Sequence, residues 1–155
     1  MITTKFIDQS KRNRSMERSS GAVIYRNSRY LLLLYGYGHW GFVKGKREKG
    51  ESYKETFFRE AQEETGLTKN QLKILPGFTE KITYFHKKEG KNIFKEVVYV
   101  LAESTTFKVH ISSEHESYRW LTYSKALKLI SFENDRNVLR KAHDFLENKI
   151  VKIST

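Results

Sequence analysis

Short apolar runs dominate the first third of the chain and predict β-strands. Residues 21–25 (GAVIY) and 30–35 (YLLLLY) are rich in strand-forming side chains, and residues 27–28 (NS) separate the two runs with turn-forming ones. This arrangement predicts a hairpin. Residues 39–43 (HWGFV) indicate another short strand, and residues 44–50 (KGKREKG) indicate a basic loop that contains glycine.

A helix is predicted to begin after Ser52. Ser52 and Glu55 fit a capping box, in which each side chain binds a backbone N–H that the first helical turn leaves free. The helix should end near Thr65, because Gly66 can adopt the left-handed conformation that commonly terminates helices.

The remainder of the chain predicts further strands and helices. Strands are expected over residues 72–85, 93–103 and 118–121, and a Lys- and Gly-rich loop joins the first two. Helices are expected over residues 124–130 and 134–149. This mixture of elements favours one α/β domain, in which a mixed sheet is flanked by helices.

The N-terminal segment differs from the rest in composition. Residues 1–18 are polar and contain the cations Lys5, Lys11, Arg12, Arg14 and Arg18. We expect a flexible basic arm here, followed by a single domain over residues 19–155. A length of 155 residues, of which 38% are hydrophobic, is sufficient for one packed core.

The charge of the chain indicates which classes of partner are favoured, but it does not identify one of them. Lys and Arg number 29 and Asp and Glu number 18, which gives a net charge of +11. This excess favours nucleotides, nucleic acid or an acidic membrane surface, although a merely soluble basic protein has the same charge. Residues 1–20 lack the apolar core of a signal peptide, and the longest apolar run, residues 30–35, is too short to span a bilayer. We therefore expect a cytoplasmic protein without a membrane partner.

Three glutamates share one face of the predicted helix. Glu60, Glu63 and Glu64 fall within an arc of about 100°. Like charges this close repel one another, and a hard divalent cation such as Mg²⁺ or Mn²⁺ removes that repulsion. The chain contains no cysteine, so any metal must be held by oxygen or imidazole ligands. A solvated acidic face is the alternative.

The segment from Gly45 to Leu67 (GKREKGESYKETFFREAQEETGL) fits a known motif at every defined position. The motif is G-x5-E-x7-R-E-U-x-E-E-x-G-U, where U is aliphatic. The matching residues are Gly45, Glu51, Arg59, Glu60, Ala61, Glu63, Glu64, Gly66 and Leu67. On these residues the chain resembles the Nudix hydrolase superfamily. The resemblance implies an α/β/α fold, in which a mixed sheet is sandwiched between helices, and hydrolysis of a nucleoside diphosphate linked to another group.

The same resemblance assigns roles within the motif. It implies a site for Mg²⁺ or Mn²⁺ formed by Gly45, Glu60, Glu63 and Glu64. Such ions can bridge phosphate oxygens and activate a water for in-line attack. We expect Arg59, counted with the catalytic residues, to hold a glutamate by an ion pair. Glu51 would orient the motif or add a ligand.

Segments outside the motif resemble the asymmetrical diadenosine tetraphosphate hydrolases. These segments are residues 39–45 (HWGFVKG), 77–78 (GF), 82–84 (ITY), 95–103 (KEVVYVLAE) and 113–121 (SEHESYRWL). With the motif they are distributed over residues 39–121. Val43 is a departure, because similar proteins usually have proline before the Lys-Gly pair.

This second resemblance implies a set of substrate-binding residues. Tyr84 and Tyr118 would stack an adenine between them, since a tyrosine ring offers a flat apolar face. Lys44 and Lys95 would contact the polyphosphate, and His39 would also touch phosphate. The alternatives are core tyrosines, solvated lysines and a structural histidine.

The segment 113–121 also suggests a proton acceptor. Glu114 is a candidate general base or an additional metal ligand, and its alternative is an ordinary surface carboxylate. His115 would orient Glu114.

Several aromatic and aliphatic residues are expected to be structural. Trp40, Phe42, Trp120 and Leu121 should lie in the core. The buried stripe of the C-terminal helix should consist of Phe132, Val138, Leu139, Phe145 and Leu146.

The resemblance predicts an enzyme, an asymmetrical dinucleoside tetraphosphatase. Water would attack one phosphorus of diadenosine tetraphosphate and release ATP and AMP. A 5′-triphosphate RNA pyrophosphohydrolase, or another Nudix nucleotide pyrophosphatase, is the first alternative, because the basic arm and the net charge suit a longer polyanion. A non-catalytic nucleotide- or RNA-binding module is the second. We expect a monomer.

Overall fold

A computed structural model describes residues 15–154 of the chain. Within this range the strands are β1 (Ser15–Arg26), β2 (Arg29–Tyr35), β3 (Trp40–Gly41), β4 (Val43–Lys46), β5 (Leu72–Lys88), β6 (Lys91–Ser104) and β7 (His115–Thr122). The α-helices are α1 (Tyr53–Thr65), α2 (Tyr123–Leu129) and α3 (Glu133–Ser154), and a 3₁₀ turn covers Lys69–Gln71. No helix within this range combines the length and hydropathy that crossing a bilayer requires.

The predicted hairpin is confirmed as β1 and β2. Tyr25 pairs with Tyr30 and Arg26 with Arg29, so that two residues form the turn. Asn27 and the following serine have φ angles of 47° and 63°, the left-handed conformation that suits tight hairpins.

Strand β1 begins inside the segment that we predicted as a flexible arm. Residues 15–18 pair in parallel with residues 93–96 of β6, so the prediction was wrong for these four residues. Their polar composition concealed a strand whose backbone is fixed by a neighbour distant in sequence. Residues 1–14, the rest of the predicted arm, lie outside the described residues.

The sheet is mixed, as predicted. Its strand order is β3-β2-β1-β6-β5, with β4 paired to β1 and β7 paired to β2. The pair β1–β6 is parallel and the other pairs are antiparallel. Strand β1 is therefore the centre of the sheet, and it pairs with β4, which carries Lys44 and Gly45, and with β6, which carries Lys95.

Two hydrophobic cores cover opposite faces of this sheet. Along β1, Val23 belongs to one core, whereas Ala22 and Ile24 belong to the other, as strand alternation requires. Helices α2 and α3 pack on the face of Val23, and α1 packs on the face of Ala22 through Phe57. The α/β/α arrangement is thus confirmed.

Helix α1 begins and ends as the sequence predicts. The Ser52 hydroxyl accepts a hydrogen bond from the Glu55 N–H at 3.1 Å, and Gly66 ends the helix with φ 74°. The preceding loop is shorter than predicted. Residues 44–46 belong to β4, because they pair with residues 19–21 of β1.

The buried stripe predicted for the C-terminal helix is confirmed except at Phe132. Val138 and Leu139 are buried, and Phe145 and Leu146 pack against the same core. Phe132 was predicted to belong to this stripe, but it precedes the helix and its side chain is 50% exposed. The prediction for Phe132 was wrong because it extended helical periodicity past the helix start.

Candidate active site

Helix α1 and strand β4 bring the motif residue Glu60 against the backbone of Gly45. A Cβ atom at position 45 would overlap the carboxyl group of Glu60, so glycine allows that carboxyl group to lie where it does. Glu64, one turn further along α1, is buried, whereas the side chain of Glu63 is 58% exposed. The predicted helix face therefore divides into two enclosed carboxylates and one that faces solvent.

The charge of Glu64 is poorly compensated by protein groups. Burial, reinforced by the negative charge of Glu60, raises the pKa of Glu64 to about 9. Burial also raises the pKa of Glu60, although the neighbouring Arg59 opposes the shift. The buried Oε2 atom of Glu64 has no hydrogen-bond partner among the described residues. Such an atom requires a proton or a cation.

Arg59 connects the motif, as the sequence predicts. Its Nη1 donates to Glu60 Oε1 at 2.8 Å, and its Nη2 donates to the carbonyl oxygen of Lys46 at 2.8 Å. Nη1 also lies 3.3 Å from Glu63 Oε2. One guanidinium thereby ties helix α1 to the strand that carries Gly45.

Glu51 supports Arg59 from the loop before the helix. Arg59 Nε donates to Glu51 Oε2 at 2.8 Å, and Arg59 Nη2 donates to Oε1 at 3.0 Å. The Thr56 hydroxyl and the Glu48 N–H also donate to Oε1. These donors, the guanidinium above all, lower the pKa of Glu51 to about 2. Glu51 therefore orients the motif through Arg59.

The donor set of α1 fits a divalent cation. Glu60 and Glu64 offer adjacent carboxylates, one of them with an unpartnered buried oxygen, and hard cations prefer such ligands. In residues 15–154 no three His, Asp or Glu side chains already converge as a finished metal site. Arg59 holds Glu60 and lies beside the exposed Glu63.

A cleft of about 680 Å³ opens beside Gly45. Its walls come from strands β1, β2, β4, β5 and β6 and from the start of α3. The lining residues are Ser19, Tyr35, Tyr37, His39, Lys44, Gly45, Lys46, Ile82, Tyr84, His86, Lys95, Phe132, Glu133, Asn134 and Asp135. Gly45 thus belongs both to the cleft and to the pocket of the Glu60 carboxyl group.

Three predicted phosphate-binding residues line this cleft. They are Lys44, Lys95 and His39. Burial, and next the charge of Lys44, lower the pKa of Lys95. His39 stacks on Tyr35 with ring centroids 4.8 Å apart, and burial lowers its pKa. The cleft therefore brings together the side chains of Lys44, Lys46 and Lys95, whose charge an anionic ligand would offset, while Glu133 and Asp135 line its α3 edge.

The structure brings only one of the two predicted adenine-stacking tyrosines to the cleft. Tyr84 lines it, next to its β6 partner Lys95. Tyr118 is the cross-strand partner of Leu33, whose side chain belongs to the core on the α1 face, opposite the core against which Tyr84 packs. Tyr118 is therefore separated from Tyr84 by the sheet, and the predicted pairing of these two rings is absent from this arrangement.

The segment before β7 lies near the glutamates rather than in the cleft. Glu114 is exposed, and its charge adds to the larger effects of burial and Glu60 on the pKa of Glu64. His115 is buried, and its Nδ1 lies 2.9 Å from the Ser112 hydroxyl. Its Nε2 faces Glu64 Oε2 at 3.9 Å. His115 thus lies against Glu64, not against Glu114 as predicted.

Sequence reasoning missed the contribution of helix α3 to the cleft. Asp135 is buried at the cleft wall, where it accepts a hydrogen bond from the Tyr99 hydroxyl at 3.2 Å. Burial raises the pKa of Asp135. Its only sequence signal, an acidic residue in the first turn of a helix, is typical of ordinary capping. The position of Phe132 in the cleft was also missed, because this residue was predicted to lie in the buried stripe of the helix.

Comparisons with known proteins agree with this architecture. The sequence profile of the NUDIX domain matches residues 16–142. The asymmetrical bis(5′-nucleosyl)-tetraphosphatase of Rattus norvegicus is 37% identical over 143 residues, which span 83% of this chain and 95% of that protein. The structure is similar to that of a C. elegans Ap4A hydrolase binary complex, with a TM-score of 0.76 and 32% identity over 85% of this chain and 98% of that chain.

A shorter match concerns a viral protein. The mRNA-decapping protein g5R of African swine fever virus is 36% identical over 61 residues, which are 39% of this chain and 24% of that protein. The longer matches confirm both resemblances drawn from the sequence, to the superfamily and to the asymmetrical hydrolases. The chain, matched over most of its length, belongs to the NUDIX family.

Proposed function

We propose that the protein hydrolyses diadenosine tetraphosphate asymmetrically. Water attacks one phosphorus, the P–O bond to the bridging oxygen breaks, and ATP and AMP leave. The position of Gly45 carries the proposal, because this residue borders both the cationic cleft and the Glu60 carboxyl group. A polyphosphate bound in the cleft would therefore extend toward the glutamates of α1. The similarity to the Rattus norvegicus tetraphosphatase supports this substrate class.

Mg²⁺ or Mn²⁺ is the proposed cofactor. Glu60, Glu63 and Glu64, with the backbone of Gly45, would hold it. Once bound, the ion would neutralise charge at phosphate oxygens and would help to activate a water molecule. Arg59 keeps Glu60 close to Gly45, and the exposed Glu63 can turn inward without losing a buried contact.

Lys44, Lys95 and His39 are proposed to bind the polyphosphate. The two lysines line the cleft from β4 and β6, the strands that pair with β1 on its two sides, and each acts as a point charge with several donor directions. Because burial and mutual repulsion disfavour the charge of Lys95, a phosphate between the lysines would gain from both charges.

An adenine would stack on Tyr84. On the cleft lining the other aromatic side chains include Phe132 and Tyr37, both of them exposed. Phe132 is the proposed second face of the adenine site, in place of Tyr118, which lies on the far side of the sheet from Tyr84. Aromatic rings bind a nucleobase without a large loss of conformational entropy.

Glu114 is proposed to accept the proton of the attacking water. Its exposure leaves it free to approach the ion site, and its charge already influences Glu64. His115 would act on Glu64, because burial lowers the pKa of this histidine and leaves its Nε2 beside the carboxylate.

Product analysis tests the proposal directly. Purified protein with Mg²⁺ should convert diadenosine tetraphosphate into equal amounts of ATP and AMP, and reaction in ¹⁸O-water should label only one of the two products. Glu64→Gln is the inactive control, for which kcat should fall at least about 10²-fold. Formation of two ADP molecules, or the absence of turnover with active metal-loaded protein, would contradict the proposal.

A second candidate substrate is the 5′-triphosphate end of RNA. The net charge of +11 and the shorter similarity to the mRNA-decapping protein g5R favour it. Because β1 begins at Ser15, a clean deletion of the basic arm would remove residues 1–14 only. A loss of turnover of triphosphorylated RNA, with unchanged turnover of the dinucleotide, would support this candidate. The monomeric state and the cytoplasmic location stay predictions.

A further inference from the structure

We propose that the outer face of the β5–β6 hairpin binds single-stranded RNA. The face in question, called here the outer face, consists of Met16, Phe85, Lys87, Asn92 and Phe94. It lies on the opposite side of the hairpin from the cleft. The proposed nucleotide function of the cleft is used here for one step only, the choice of RNA among the possible polyanions.

The centre of the outer face is apolar and exposed. Phe85 and Phe94 are direct cross-strand partners with ring centroids 3.9 Å apart, and Met16 is the β1 neighbour of Phe94. Phe85 is 58% exposed and Met16 is 51% exposed. Phe85 is exposed beside the half-buried ring of Phe94, in a strand that could equally place polar residues there, and such an exposed apolar patch is typical of a binding surface.

Cations surround these rings. Lys87 and Asn92 form the next pair toward the hairpin tip, on the same face as Phe85. Arg18 is exposed two residues beyond Met16 on that face. The carboxylate of Glu96 is 3.8 Å from Lys81, which offsets part of its charge. The balance around the rings is therefore positive.

The tip of the hairpin places two like charges opposite each other. Lys88 pairs with Lys91 across a two-residue turn, an arrangement that costs stability in the absence of an anion. The turn residue Glu89 has φ 53°, a conformation that leaves little freedom to relax the pair by changing the turn. A phosphate backbone passing over the tip would relieve this repulsion.

Aromatic rings and lysines together match a single-stranded nucleic acid. Exposed bases stack on aromatic faces regardless of sequence, and the lysines contact phosphates. The opposite face of the same hairpin carries Tyr84, His86 and Lys95 of the cleft. A strand whose 5′ end lies in the cleft would reach the outer face by crossing the tip. This continuity favours RNA over an acidic membrane surface.

The test measures RNA binding without using the cleft. A fluorescent single-stranded RNA of about twelve nucleotides with a 5′-hydroxyl end is titrated in EDTA and followed by anisotropy. Phe85→Ala should raise Kd at least about fivefold, whereas Phe85→Trp should retain the affinity. Because Phe85 is largely exposed, both variants should keep the Tm of the unaltered protein.

Charge is tested with a matched pair of variants. Lys87→Gln should reduce the slope of log Kd against log salt by about 0.7, the value for one phosphate contact on a single strand. Lys125→Gln removes the same charge from an exposed position on α2 and should leave the slope unchanged. Equal slopes for both variants would overturn the proposal, as would equal RNA affinity of Phe85→Ala and the unaltered protein.

Two further measurements separate the possible failures. Vesicles of phosphatidylserine, bound in a Phe85-dependent way while RNA is not bound, would assign the outer face to a membrane and overturn the proposal. Diadenosine tetraphosphate turnover by Phe85→Ala should equal that of the unaltered protein, because Phe85 lies outside the cleft. If the unaltered protein did not turn over diadenosine tetraphosphate, the proposed hydrolase activity would be contradicted, whereas the proposal of RNA binding would not be affected.

Discussion

The Oε2 atom of Glu64 lies 3.9 Å from the Nε2 atom of His115, and neither atom has a hydrogen-bond partner among the described residues. Burial raises the pKa of Glu64 and lowers the pKa of His115, so it opposes charge on both groups. At neutral pH the pair cannot form a strong ion pair in this state. A cation beside Glu64 would let its carboxylate ionise without leaving the interior.

The first prediction concerns stability of the metal-free protein against pH. Glu64 has a pKa of about 9 in the folded protein and an ordinary value of 4.5. The folded state therefore binds this proton more tightly, and its stabilising effect, complete below pH 4.5, is lost as pH rises toward 9. In EDTA, Glu64→Gln should raise Tm at pH 8 by at least about 4 °C and flatten the decline of Tm above pH 5.

Glu63→Gln provides the matched control for that measurement. Glu63 is on the same helix face, but its side chain is 58% exposed, so its replacement should leave the Tm profile almost unchanged. Both variants should nevertheless lose at least about 10²-fold in kcat. If Glu64→Gln were no more stable than the unaltered protein at pH 8, the buried carboxylate would not be the source of the pH dependence.

The second prediction concerns the close approach of Gly45 to Glu60. Gly45→Ala should displace the Glu60 carboxyl group, because the added methyl would overlap it. We expect weaker Mn²⁺ binding, measured by calorimetry, and a loss in kcat of at least about 10²-fold. At Gly36 an added Cβ would lie 3.6 Å from its nearest neighbour, so Gly36→Ala is the control. Unchanged Mn²⁺ affinity in Gly45→Ala would exclude Glu60 as a ligand.

The third prediction concerns acid stability. The Arg59 guanidinium holds the pKa of Glu51 at about 2, below its ordinary value of 4.5. The stabilisation is present above pH 4.5 and is lost as pH falls through 2, because only the carboxylate accepts these hydrogen bonds. Glu51→Gln should lower Tm at pH 7 and reduce the loss of Tm between pH 4.5 and 2. Glu116→Gln, at an exposed position, should match the unaltered protein.

The sequence was most informative where local rules act. The Ser52 cap and Gly66 defined helix α1, and helical spacing then fixed the shared face of Glu60 and Glu64. Both are short-range effects, so one segment contains all the information they need. The spacing could not reveal that Glu63 faces solvent while Glu64 is buried, because burial depends on β4 and on His115.

Residues positioned by long-range pairing were harder to predict. Tyr84 and Tyr118 carry the same kind of signal in sequence, and only the pairing of Tyr118 with Leu33 reveals which face of the sheet it occupies. Strand β4 was not predicted in full, because Lys44 and Lys46 make its sequence resemble a loop. In the structure these two side chains face the cleft and not the core. Asp135 resembled a helix-capping residue, and its place in the cleft depends on how α3 docks against β6 through Tyr99.

The last prediction separates the two candidate partners of Tyr84. If an adenine stacks between Tyr84 and Phe132, either alanine substitution should raise KM for diadenosine tetraphosphate about tenfold, since stacking contributes about 1–3 kcal/mol per base. The change in kcat should be smaller, because the base is held equally in the ground and transition states. Tyr118→Ala should leave KM within about twofold, because Tyr118 lies on the other face of the sheet from Tyr84. A large KM effect in Tyr118→Ala and none in Phe132→Ala would instead assign the adenine to the tyrosine pair, and would require the region around β7 to rearrange when substrate binds.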